Sequence, residues 1–253
     1  MSKLLGAALI GAALLANAPA AQAAGDADPL LTRSWAFEGV FGRYDRAALQ
    51  RGLQVFEVAC ATCHGMEFVP FRKLMEIGYT EDEAMEFASR FFVEDGPDEQ
   101  GMMFERPAVL TDPWPAPWAN EAEAQFIHGA VPVDLSLVAK SRNGGANYIY
   151  SLLQGYDDER TMELDPGNYF NRFYPGNIIG MAPPLFDGLV DFEDGTEATM
   201  QQMAADVAQF LMWAAEPKLE ERKRLGLGVI LYTTAMAGVF YAMNRRIWKD
   251  VKK

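Results

Sequence analysis

The stretch RGLQVFEVACATCH, residues 51–64, decides how the chain is read, because it ends in Cys60-Ala-Thr-Cys63-His64 and holds both cysteines of the 253-residue sequence. Thiols three positions apart lie within about one helical turn. Both can therefore add across the vinyl groups of one haem, forming thioethers, while the next side chain, His64, turns toward the iron. This is the c-type haem attachment pattern. A redox dithiol would use the same spacing but has no need of the adjoining histidine. A structural zinc site needs four ligands, and the sequence offers one further histidine, His128. A disulfide across so short a loop is a third alternative.

The second axial position has more than one candidate. His128 is the remaining histidine, and there are 13 methionines. Met66 follows His64 too closely to reach the opposite face of a porphyrin. Met203 and Met212 fall in an apolar helical stripe, where packing is the expected role. Met181 differs, because IIGMAPP (178–184) puts a thioether in a stiff, non-periodic loop whose prolines lower the entropy lost on ordering it. Histidine and methionine together would raise the reduction potential and fill both axial sites, which suits passing electrons and leaves no place for a substrate.

Outward from the motif, Asp45 can cap a helix carrying Leu49, Leu53 and Phe56 that runs into the Cys60 segment. Thr199 with Gln202 resembles a capping box, followed by Met203, Val207, Phe210, Leu211 and Ala214 on one face until Pro217. Residues 80–92 and 147–153 are two further helices, the first with acids in its opening turn. The proline-rich stretches 106–120 and 168–187 read as extended or turn segments. No internal repeat and no strand ladder long enough to organise a fold is visible. The expectation is one mostly helical, loop-rich domain over residues 24–217.

The two ends are of another kind. Lys3, an apolar run from Leu4 to Leu15 and Ala21-Gln22-Ala23 form a secretory signal over residues 1–23. Leu225 to Met243 is 19 residues without a charge, about 28 Å as a helix, which matches the hydrocarbon core of a bilayer. Basic residues bracket it, in a juxtamembrane segment 218–224 and a tail 244–253. The predicted topology is a bacterial inner-membrane protein with a single transmembrane helix, its head in the periplasm and its C-terminus in the cytoplasm.

Charge is divided in the same way. The chain carries −13 overall, but residues 24–217 carry −20 and residues 218–253 carry +6. Nucleic-acid binding by bulk electrostatics is excluded. Acid clusters at 81–83, 94–95, 98–99, 157–159 and 191–197 would together steer a basic partner.

Beyond the haem motif the sequence closely resembles the cytochrome c1 family, the membrane-anchored haem subunits of the cytochrome bc1 complex. The resemblance runs through RGLQVF (51–56), CATCH (60–64), YTEDEA (79–84), DGP (95–97), PVDLS (132–136), Gly144-Gly145, Tyr148, SLL (151–153) and Gly155-Tyr156. It continues through MAPP (181–184), Asp194-Gly195 and WAAEP (213–217) to the anchor. It implies a mainly α, cytochrome c-like haem domain with long loop insertions plus one C-terminal transmembrane helix. It also implies one haem c bound through Cys60 and Cys63, ligated by His64 and Met181, with Arg142 on a propionate and Tyr148 in the haem pocket. Such a chain would be an electron-transfer subunit of quinol:cytochrome c oxidoreductase with no bond-making catalytic residues. Its partners would be cytochrome b, the Rieske iron-sulfur protein, a basic soluble or membrane-anchored c-type cytochrome, and membrane lipid. An anchored cytochrome serving a terminal oxidase or reductase, and a haem sensor or ligand-activating enzyme, are the alternatives. Departures from the family pattern are His128, where relatives often have asparagine, Val133 in place of a proline, and the lack of an extra cysteine pair before Met181.

Overall fold

The computed structural model describes residues 27–251, so the signal expected over residues 1–23 lies outside the described residues. Asp45 opens the first helix, α1 (Arg46–Val55), its carboxylate accepting from the backbone N–H groups of Ala47 and Ala48. Where the spacing predicts an α-helix to Cys60, residues Phe56–Cys60 instead form a π-helical turn closed by Ala61 N to Phe56 O at 2.8 Å. One extra residue in a turn rotates the succeeding residues by about 100° relative to the preceding stripe. Phe56 stays fully buried between Trp114 and Phe210 while the chain swings out through Cys60.

After β1 (Met66–Pro70) and a 3-10 turn over Phe71–Ile77 comes α2 (Glu81–Ala88), whose Thr80 and Glu83 form a reciprocal capping box. The helix predicted over 80–92 stops early. Phe87 and Phe91 are drawn onto Phe71 and Trp114, and Phe92 already belongs to the hairpin β2 (Phe92–Asp95) and β3 (Phe104–Pro107). β4 (Pro113–Trp114) pairs with β1. Next come α3 (Glu121–His128), α4 (Val138–Ser141), α5 (Ala146–Gln154) and α6 (Asp158–Thr161). β5 (Tyr169–Phe170) and β6 (Ile178–Ile179) form a second hairpin.

Thr199 then caps α7 (Met200–Ala215) by accepting from Gln202 N. α7 is the spine of the core. α1 crosses it most closely, and α5 and α4 lie along it. Gly52 makes the crossing possible, since a Cβ there would sit 2.3 Å from the carbonyl oxygen of Asp206 and 2.7 Å from Phe210 Cβ. Arg51 pairs with Asp206 beside it. Met203 is fully buried and Met212 partly so, both as packing.

Only Glu216, Pro217 and Lys218 separate α7 from α8 (Leu219–Ile247), so the basic segment 218–224 is the helical start of the anchor. α8 is long and apolar enough to cross a membrane, and no part of its apolar window is buried in the head. Its first turns are fastened down. Arg222 pairs with Glu216, Glu220 accepts from Tyr44 N and Arg46, and Lys223 donates to the carbonyls of Phe37 and Gly42.

Candidate haem site

Cys60 and Cys63 are both free thiols on the turn that ends the π-helical segment, with His64 next in line. Burial, with Cys63 alongside, pushes the Cys60 thiol up to about 12, the opposite of the depressed value that makes a redox dithiol reactive. His64 Nδ1 lies 2.7 Å from the carbonyl oxygen of Val133. A carbonyl can only accept, so Nδ1 carries the hydrogen and the Nε2 lone pair is left free. Burial also holds the imidazole below its usual pKa, keeping it neutral, although the Val133 bond opposes this.

Residues 133–136 are strapped along the segment after His64. Leu135 N donates to Gly65 O, Asp134 accepts from Glu67 N, and the fully buried Ser136 accepts from Phe68 N. His128, at the end of α3, places Nδ1 4.0 Å from Cys63 Sγ and stands edge-on to Trp118. Among the described residues no group of three His, Cys, Asp or Glu side chains comes together to hold a metal ion. Two free thiols on one turn and a neutral imidazole offering Nε2 fit a covalently held haem. They fit a dithiol redox centre or a four-ligand metal site poorly.

The remaining expected residues form a second group. Met181 lies two positions beyond β6 and is half-buried, and its carbonyl accepts from the Tyr156 hydroxyl at 3.0 Å. Tyr148 is buried on α5, the helix that begins four residues after Arg142 and ends two residues before Tyr156. Burial raises the Tyr148 phenol pKa, and the Arg142 charge works against that rise. Arg142 caps α4 as an exposed cation with no ion pair among the described residues. The chain from 133 to 142 joins the two groups, one end strapped beside His64 and the other ending at Arg142.

Three participants carry no signal of their own in the residue pattern. Val133 acts through its carbonyl, which a proline would supply equally well, so that departure from the family pattern leaves the contact intact. Tyr156 stands out only as part of a segment shared with the family. Asn171, whose side chain ties the β5–β6 hairpin to the carbonyl of Leu152 on α5, is a polar residue in a predicted loop with nothing local to mark it.

Fold and site together define a mainly helical, membrane-anchored cytochrome of the c type. The model of the Cytochrome C1 family matches residues 35–251, and the chain belongs to that family. It is 44% identical to "Cytochrome c1" of Rhodospirillum rubrum over the full length of both chains. To the mitochondrial "Cytochrome c1, heme protein" of Saccharomyces cerevisiae it is 42% identical, over 87% of this chain and 72% of that protein. It is also 38% identical, over 95% of its length, to "Cytochrome b/c1" of Bradyrhizobium diazoefficiens, of which it spans 38%. The chain is thus the haem-carrying, electron-transferring subunit of a bc1 complex, with one helix long and apolar enough to serve as its membrane anchor.

Proposed function

We propose that Cys60 and Cys63 hold one haem c by thioether bonds, that His64 Nε2 and the Met181 thioether would ligate its iron, and that Arg142 would hold a propionate while Tyr148 lines the pocket. The observation that carries this reading is the His64–Val133 hydrogen bond, which fixes one tautomer and leaves the Nε2 lone pair for a metal. Bound there, the haem supplies a one-electron couple whose potential a thioether ligand raises. His64 would offer Nε2 to the iron, its own proton being held on Nδ1 by the Val133 carbonyl. Arg142, whose guanidinium forms no ion pair among the described residues, can form charge-assisted bonds to a carboxylate, and Tyr148 is buried on α5.

The proposed electron route runs from the Rieske iron-sulfur protein to a basic soluble or membrane-anchored c-type cytochrome, the head lying in the periplasm of a bacterial inner membrane. The fate of the basic residues before the anchor supports that orientation. Arg222 and Lys223 are engaged by the head, whereas Arg245, Arg246 and Lys249 beyond the span are exposed, as the positive-inside rule asks of the cytoplasmic end.

The test is spectroscopic. Oxidised complex should show the near-infrared methionine-to-iron charge-transfer band, and the reduced form should exclude carbon monoxide. Met181→Leu should keep haem covalently bound, lose the band, admit carbon monoxide and lower the reduction potential. A variant with unchanged band and potential would remove Met181 from the ligand set.

A further inference from the structure

We propose that Tyr156 and Asn171 are positioning residues for Met181, forming a brace between the end of α5 and the ligand loop. The proposal rests on Met181 being the sixth ligand. Its starting point is a shortage of donors. Pro183 and Pro184 have no N–H, Gly180 on the other side is conformationally permissive, and strand pairing stops at Ile179, so among the described residues no backbone-to-backbone hydrogen bond outside the hairpin holds residues 180–184. The prolines stiffen the loop, but stiffness does not say where it lies.

The position comes from the hairpin that precedes it. Asn171 is fully buried at the end of β5. Its side-chain NH₂ donates to the carbonyl of Leu152 on α5 at 2.7 Å, and its Oδ1 accepts from Phe173 N at 3.1 Å. Its backbone N–H reaches Asn177 O at 2.9 Å. Asn177 sits in the left-handed region at φ 62° and donates its side chain back to the carbonyls of Asn171 and Arg172. Arg172 N donates to Gly155 O, where a Cβ would lie 2.4 Å from Asn171 Oδ1. The hairpin is thereby stitched to the helix end, and from that same end the Tyr156 hydroxyl reaches across to Met181 O.

Removing the hydroxyl alone should loosen the ligand without unfolding the hairpin. In the purified complex, Tyr156→Phe should retain covalent haem and a near-wild-type melting temperature. It should raise the rate of carbon monoxide binding to the reduced form by about fivefold, the factor that one ordinary hydrogen bond represents. The near-infrared band should weaken, the potential should fall, and amide exchange over residues 178–184 should quicken. Tyr169→Phe, on β5 but making no such bond, serves as the control and should change none of these. A wild-type complex lacking the band would sink the ligand assignment and the brace with it. A wild-type complex with the band, alongside a Tyr156→Phe complex identical to it in carbon monoxide binding, potential and exchange, would overturn the brace alone.

Discussion

Arg51 grips Asp206 with two prongs, Nε at 2.8 Å from Oδ2 and Nη2 at 3.1 Å from Oδ1, where the first and last helices of the head cross. Asp206 is 2% exposed, and its second oxygen also accepts from Gln202. A buried charge that loses its partner is costly, commonly about 3–5 kcal/mol. Arg51→Met would leave the buried Asp206 carboxylate with Gln202 alone, so it should cost near the lower end, about 3 kcal/mol. Pairing it with Asp206→Asn should recover much of the loss, because the uncompensated charge goes too. Denaturant unfolding of the single and double variants measures this, and equal losses in both would refute the ion-pair account.

Gly52 offers a reversal of sign. Alanine is a better helix former than glycine by about 1 kcal/mol in an exposed helix. At this crossing the new methyl would collide with the Asp206 carbonyl and Phe210, one of them backbone. Gly52→Ala should therefore lower the melting temperature, by an amount typical of overpacking, about 1–3 kcal/mol. A stabilised variant would mean that α1 and α7 can separate without penalty.

Acid should weaken the head, and its carboxylates set the direction. Asp194 is held at about 2 by the Thr196 N–H and Arg51, and Asp95 and Asp112 are held low by Arg106. Burial pushes the Glu216 pKa up, but Arg222 and Lys140 more than offset this and leave it lowered. Groups whose folded pKa is depressed contribute fully above the ordinary carboxylate value of about 4 and lose that contribution as pH falls through the folded value. Urea midpoints should be flat down to about pH 5 and fall steeply toward pH 2. Asp194→Asn should flatten the most acidic part of the curve. A midpoint that rises on acidification would contradict the assignment.

Several acids are already engaged inside the head. Arg106 takes Asp95 and Asp112, Arg51 takes Asp194, and Arg160 takes Asp157. Glu94, Glu99, Asp158, Glu159, Asp191, Glu193 and Glu197 form no ion pair among the described residues and are the acids that would steer the basic cytochrome proposed as partner. Stopped-flow reduction of such a partner should slow steeply as ionic strength rises past about 0.1 M, where the Debye length shrinks to about 10 Å. Charge-neutral variants of the unpaired group should flatten that dependence more than neutralising Asp112. A rate indifferent to salt would count against electrostatic steering.

Features with a local signature are legible in the residues. Asp45, Thr80 and Thr199 announce helix starts, CATCH announces a haem, and the uncharged run 225–243 announces an anchor. Other features depend on a distant partner. Asp206 and Gln209 sit inside the apolar stripe of α7 and are buried only because Arg51 and the Asp45 carbonyl come to meet them from elsewhere in the chain. Helix α3 has no legible stripe because its large apolar residues, Phe126 and Ile127, point outward at 91% and 58% exposure, leaving Ala124 as its sole buried residue. In the site, the His64 acceptor is a backbone carbonyl and so could have belonged to almost any residue. The Met181 support is divided among Tyr156, Asn171 and Asn177, none of which is distinctive in a loop sequence.

The fastening of α8 to the head has a mechanical corollary. Glu216, Glu220, Arg222 and Lys223 tie the first turns of a 29-residue helix to Phe37, Gly42, Tyr44 and Arg46, leaving no slack between domain and span. A helix whose apolar length exceeds the local hydrocarbon thickness tilts to fit it. Here such a tilt has nowhere to be absorbed, so the head must lean with it. Bilayer thickness would then act as an angular adjustment on the whole head, setting how squarely its redox face meets an incoming carrier.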